Sequence, residues 1–97
     1  MRENNRLYVI VDTSLSPVYG CVQGGHAVAN WLLEHPKQTW NNQYLIYVYG
    51  NVKRWARKLE KTGHDFSVFY EPDLKNQPTA IAILNRGTMF KKLKLVH

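Results

Sequence analysis

The feature that most restricts the fold of this chain is its alternation of strand-like and helix-like segments. Four short runs rich in β-branched and aromatic residues, Leu7–Val11, Tyr44–Tyr49, Phe66–Tyr70 and Thr79–Leu84, are bounded by polar stretches containing Gly and Pro. Helix-patterned segments lie between the first and second runs and between the second and third. A strand that returns to its own sheet through a helix favours a right-handed parallel crossover. The expectation is therefore an α/β fold: a three-layer sandwich with a four-stranded, partly parallel (mixed) sheet, built in the order βαβαββ and followed by a C-terminal tail. A chain of 97 residues holds one such core and not two, so residues 1–97 read as a single domain.

The first helical segment runs from about Val18 to His35, and Pro36 closes it because the residue before a proline is pushed out of α geometry. It follows Asp12-Thr-Ser-Leu-Ser-Pro17, which has the composition of a loop. Glycine costs a helix interior roughly 1 kcal/mol relative to alanine, so the adjacent Gly24 and Gly25 imply close approach by a strand or a ligand. In the second helix Asn51 suits the N-cap, Val52, Trp55, Ala56 and Leu59 make one apolar stripe, and Gly63 suits the position just past the end.

No apolar run approaches the roughly 20 residues of a membrane-spanning helix, and Met1 to Arg6 lacks the hydrophobic stretch of a signal peptide. The expectation is a soluble, cytoplasmic protein without a membrane partner. Cys21, the single cysteine, cannot form an internal disulfide or a cysteine-based zinc site, and it reads as a buried thiol. His35, His64 and His97 show no ligand spacing, so no metal is expected.

The net charge of +6 is unevenly spread. Lys53, Arg54, Arg57, Lys58 and Lys61 crowd the second helix against a lone Glu60, and the tail adds Arg86, Lys91, Lys92 and Lys94 with no acid. Clustered cations suit a polyanion such as RNA, because phosphates reward them through counterion release. An ordinary solvated face has the same composition.

Open α/β sheets bind ligands at strand ends that feed loops, which directs attention to residues 12–25, to the Glu71–Pro78 segment and to the helix starting near Asn51. On the first helix Gln23, His26 and Asn30 form a polar stripe opposite an apolar side of Val22, Ala29, Leu32 and Leu33. A histidine there could direct a water or donate to an oxyanion, and a glutamine could hold a carbonyl. It could equally be a partly buried histidine satisfied by a backbone carbonyl. Glu71-Pro-Asp-Leu-Lys-Asn-Gln-Pro78 sets two carboxylates just after a strand, either for chemistry beside a histidine or as a turn in which Asp73 and Asn76 cap backbone N–H groups.

Taken in order, strand Leu7–Asp12, then Cys21-Val-Gln23-Gly-Gly-His26-Ala27, then Phe66–Tyr70 running into Glu71-Pro-Asp-Leu-Lys75, then Thr79-Ala-Ile-Ala and Leu93-Lys-Leu95, the chain resembles the type 2 peptidyl-tRNA hydrolase family. Members of that family open with a strand, a Thr or Asn and Asp pair, a loop and a helix carrying Ala-Ala-Gln-x-x-His-Ala. Their third strand leads into Asp-Ala-Gly-Arg-Thr, their next strand starts with Thr, and they finish near Leu-Lys-Leu. Gln23 and His26 match; Tyr19 stands at the family's lysine, Glu71 at its loop aspartate and Lys75 at its loop threonine.

The resemblance implies one peptidyl-tRNA hydrolase type 2-like domain that cleaves the ester joining a peptide to tRNA, with no metal or other cofactor. It implies catalytic positions at His26 and Glu71, for placing or activating water, and at Gln23 and Lys75, for polarising the carbonyl. Tyr19, Asp73 and Asn76 would touch substrate, and Lys53, Arg54, Arg57, Lys58, Lys61, Lys91 and Lys92 the tRNA backbone. The alternative is a catalytically inactive relative that binds RNA or a protein partner through the same cleft and basic surface. A third reading is a scaffold that self-associates as a homodimer through Trp40 and exposed tyrosines, with Trp40 either a surface anchor or a cover for the core.

Overall fold

A computed structural model of the chain describes residues 5–85 and 87–96; Met1 to Asn4, and Arg86 and His97 of the basic tail, lie outside the described residues. The structure is α/β, with a four-stranded mixed sheet and two helices. Its elements are β1 (Arg6–Asp12), α1 (Pro17–Glu34), β2 (Tyr44–Gly50), α2 (Val52–Lys61), β3 (Ser67–Glu71) and β4 (Gln77–Asn85), with a short 3₁₀ turn at Pro72–Leu74. These bounds differ from the expected ones by one or two residues.

Local chemistry fixes both strand-to-helix corners. Ser16 caps α1, its hydroxyl accepting from the Tyr19 N–H at 3.4 Å, and Pro17 follows where its missing N–H costs nothing. Asn51 caps α2 by accepting from the Arg54 N–H at 3.0 Å. The Asp12 carboxylate reaches across from the end of β1 to accept the Val52 N–H at 3.1 Å, so Asp12 is engaged in structure.

The sheet order is β2-β1-β4-β3. β1 and β2 are parallel, and β4 is antiparallel to both β1 and β3. Beyond β2 the tail adds a short antiparallel stretch: the Tyr49 N–H donates to the Lys94 carbonyl at 2.8 Å and the Val96 N–H to the Tyr47 carbonyl at 3.0 Å. Successive residues of a strand face opposite sides, which sorts the core into two clusters. Leu7, Ala80 and Ala82 pack with Ala27 and Trp31 of α1 and with Trp40. Tyr8, Ile10, Val48, Ile81 and Ile83 pack with Val52 and Leu59 of α2 and with Phe90 of the tail.

A helix ordinarily turns its larger apolar residues inward. α1 does the reverse: Gly20, Gly24, Ala27 and Trp31 are buried, while Val18 and Leu33, each 79% exposed, stand in water with Val22 and Leu32. The cause is the closeness of the sheet. A Cβ on Gly24 would sit 2.8 Å from Val9 Cγ1, and one on Gly20 would collide with Val11 Cγ1. The close approach at Gly24 is thus made by strands, not a ligand, and Gly25 faces open space.

Two single-residue expectations are corrected or decided. Cys21 is exposed and not buried, because it lies off the sheet-facing line of α1. Trp40 is buried, with its indole N–H donating to the Tyr44 carbonyl at 3.0 Å, and serves as a cover for the core.

Candidate functional site

One flank of α1 carries a line of polar contacts along β3 and the adjoining part of β4. Glu34 accepts from the Ser67 hydroxyl, and the Asn30 amide donates to the Val68 carbonyl at 3.3 Å. The His26 imidazole stacks on Phe69, ring centres 4.4 Å apart and planes 18° from parallel. Gln23 Oε1 accepts from the Thr79 hydroxyl at 2.8 Å, and both residues are almost fully buried. Nearest the start of the helix, the Tyr19 phenol faces the carboxylates of Glu71 and Asp73.

The Gln23–Thr79 bond spends the Gln23 oxygen. Among the described residues no buried side-chain nitrogen or oxygen lacks a partner, so the Gln23 NH₂ is the end of that amide that meets solvent. A buried glutamine thereby presents a positioned donor one helical turn from His26. The imidazole is exposed, and among the described residues neither ring nitrogen is hydrogen-bonded. Its stacking on Phe69 fixes the ring plane while leaving both nitrogens available to a proton donor or acceptor.

The loop after β3 is built on Glu71. Its carboxylate caps the 3₁₀ turn by accepting from the Asp73 N–H at 3.2 Å, and its carbonyl accepts from the Asn76 N–H at 2.9 Å. The capping group expected at Asp73 or Asn76 is therefore Glu71, with those two residues as backbone donors. Lys75 and Asn76 both take left-handed backbone conformations, φ 55° and 58°, which turn the chain sharply into β4. No hydrogen bond links Glu71 to His26 among the described residues, and Lys75 is exposed without a bond to Gln23 or His26. Partial desolvation first, then the nearby Glu71 and Asp73 carboxylates, push the Tyr19 phenol above its ordinary pKa. At neutral pH it is a neutral donor where the resembled family carries a cation.

The site residues expected from sequence thus separate into groups. Tyr19, Gln23, His26, Glu71 and Asp73 line one flank of α1. Lys53, Arg54, Arg57, Lys58 and Lys61 are exposed on α2, across the sheet, where the Lys58 ammonium lies 4.9 Å from the Trp55 ring centre. Lys91 and Lys92 follow Phe90, which packs on Tyr8 and Trp55 and so puts them on the α2 side as well. The two basic segments share one face, and that face is not the one carrying His26.

Sequence reasoning passed over Thr79 and Phe69 as site residues. Thr79 heads an apolar run and carries a hydroxyl that only a buried partner would explain. Nothing in the sequence marks Phe69 as the ring under His26. Thr79→Val keeps the shape but leaves the Gln23 oxygen buried and unpaired, so stability should fall by about 1–3 kcal/mol in urea unfolding, while Thr79→Ser should fall by less.

On the opposite flank of α1 there are two apolar clefts. One, of about 530 Å³, is lined by Thr13, Leu15, Pro17, Tyr49, Lys94 and Leu95; the other, of about 500 Å³, by Pro17, Val18, Cys21 and Val22. Burial, then the neighbouring Cys21, pushes the Tyr47 phenol above its ordinary pKa. Among the described residues no three His, Cys, Asp or Glu side chains gather as a metal would need, and no helix is long and apolar enough to cross a membrane.

No protein-family model matches the chain, and no curated protein matches it.

Proposed function

We propose that the chain is a divergent type 2 peptidyl-tRNA hydrolase, cleaving the ester between a peptide and tRNA in the cytoplasm, within an α/β/α three-layer domain. The observation that carries this reading is the pairing of an exposed His26, its ring held by Phe69, with a Gln23 amide N–H held by Thr79. His26 takes a proton from water as the water oxygen attacks the ester carbonyl carbon. The Gln23 amide donates to the carbonyl oxygen as negative charge gathers on it. Collapse of that adduct breaks the bond to the ribose oxygen, which receives the proton from His26 and leaves as the tRNA hydroxyl; the peptide leaves with a free carboxyl group. Tyr19 and Asp73 border the space the substrate would enter, and Glu71 shapes the loop beside it. The basic α2 face lies across the sheet, so an RNA touching both surfaces would pass around a sheet edge.

A second reading draws on a separate observation, the engagement of Glu71 in its own turn and not with His26. On that reading the protein binds RNA or a protein partner without catalysis.

Release of peptide from N-acylated aminoacyl-tRNA tests both. The expected result is turnover that His26→Ala lowers on the order of 10²–10⁴-fold with no change in circular dichroism. Equal release by both proteins rejects hydrolysis. Salt-dependent tRNA binding without release selects the second reading.

A further inference from the structure

The face of the sheet that carries α1 is only partly covered. α1 lies over β3, β4 and β1, and the flanking β2 turns Leu45, Tyr47 and Tyr49 to the same side, in register with Leu7, Val9 and Val11. Leu45 is 48% exposed, and the tail extends the sheet by one more short strand at this edge. Strands lie about 4.8 Å apart and a helix is about 10 Å wide, so the strip formed by β2 and the tail has the footprint of one helix. Its wall is the β2-facing flank of α1, where Pro17, Cys21 and Val22 border one of the two apolar clefts.

We propose that this strip is covered by α1 of a second copy of the chain, in a twofold dimer whose two α1 helices lie side by side in one layer between two sheets. Three observations favour a second copy as the occupant. First, the outer face of α1, with Val18, Val22, Ala29 and Leu33 exposed around Gly25, is itself an uncovered apolar helix face of the kind the strip needs. A twofold axis running parallel to the helices seats each α1 on the other chain's β2 strip, so both vacancies close in a single contact. Second, the charges agree: α1 carries one charged residue, Glu34, in 18, while the basic α2 and Lys91 and Lys92 lie on the far side of the sheet. Two chains of charge +6 can meet here without bringing their cationic faces together. Third, the area suffices. Val18, Val22, Leu32, Leu33 and Leu45 leave on the order of 300–400 Å² of apolar surface per chain in water, and with Cys21, Ala29, Tyr47 and Tyr49 a twofold contact reaches the roughly 1,200 Å² at which stable interfaces begin.

The arrangement leaves the opposite flank of α1, with Tyr19, Gln23 and His26, open to solvent. It also brings Cys21 of the two chains toward the axis from equal heights, since parallel helices related by such an axis face each other residue by residue.

Sedimentation velocity at micromolar concentration tests the proposal, using the wild-type chain, Val22→Arg on the helix face and Leu45→Arg on the strip. The expected result is a wild-type mass twice the 11.3 kDa of one chain, a single-chain mass for both variants, and unchanged thermal unfolding of both variants at high dilution. Mild oxidation of the wild-type should link the chains through Cys21, the only cysteine. A wild-type chain that stays monomeric overturns the proposal, including one that instead takes up an added amphipathic helical peptide, which would assign the groove to another protein. A dimer that survives Leu45→Arg overturns it as well, because association would then run through a different surface.

Discussion

Trp31→Ala is expected to cost about 3–5 kcal/mol of stability, the range for deleting a buried aromatic side chain. Trp31 is 2% exposed and is the largest side chain that α1 sends to the sheet; its other fully inward positions are Gly20, Gly24 and Ala27. Ordinary helices spread their anchoring over several leucines, so loss of one leaves the rest in place. Here one indole supplies most of the apolar area, and it also stacks on His35 at 4.9 Å. A domain of this size is stable by about 5–15 kcal/mol, so the substitution removes from a fifth to nearly all of that. Urea unfolding followed through the remaining Trp40 and Trp55 measures it. A loss below about 1 kcal/mol would mean that α1 is held by something other than its tryptophan.

The two adjacent glycines should respond with opposite signs. At Gly24 an added methyl meets Tyr47 Cε2 at 2.5 Å and Val9 Cγ1 at 2.8 Å, and Val9 is fully buried with nowhere to move. Overpacking of about 1–3 kcal/mol outweighs the roughly 1 kcal/mol that alanine gains over glycine in a helix. Gly24→Ala should therefore lower the melting temperature. Gly25→Ala meets nothing within 4 Å and keeps the helical gain, so it should raise the melting temperature by about 4–8 °C per kcal/mol. Thermal unfolding at high dilution reads the single chain. Equal shifts for both variants would contradict the close contact of α1 with β1 and β2.

The strands, helices and their caps were legible because each rests on a short-range signal: β-branched runs, Asn51 before an apolar stripe, Pro36 after a helix. The orientation of α1 was not, because the two choices differ in how near a helix can come to a sheet, which depends on Val9, Val11 and Tyr47 from elsewhere in the chain. Gln23 and His26 stood out as a polar pair on one helix, yet their partners Thr79 and Phe69 are supplied by β4 and β3 and carry no local mark. Glu71 illustrates the limit most clearly. A carboxylate following a strand fits a catalytic partner and a turn cap equally well, and only the path of residues 71–76 decides that its oxygen meets the Asp73 N–H.

The position of β4 bears on how the molecule comes into being. The strand made last lies inside the sheet, joining Arg6 of β1 to Asn85 and Ser67 of β3 to Ala82. As the chain leaves the ribosome, β1 and β2 can find each other early, but β3 has no neighbour at all until Gln77–Asn85 has emerged. Pairing between the two ends of a chain is slow, because the entropy of closing the long loop is lost before any contact repays it. Through that interval the inner edge of β1 and both edges of β3 are open to strands of other chains. A stop codon or a proteolytic cut ahead of β4 would therefore not trim the periphery of this protein; it would remove the middle of its sheet.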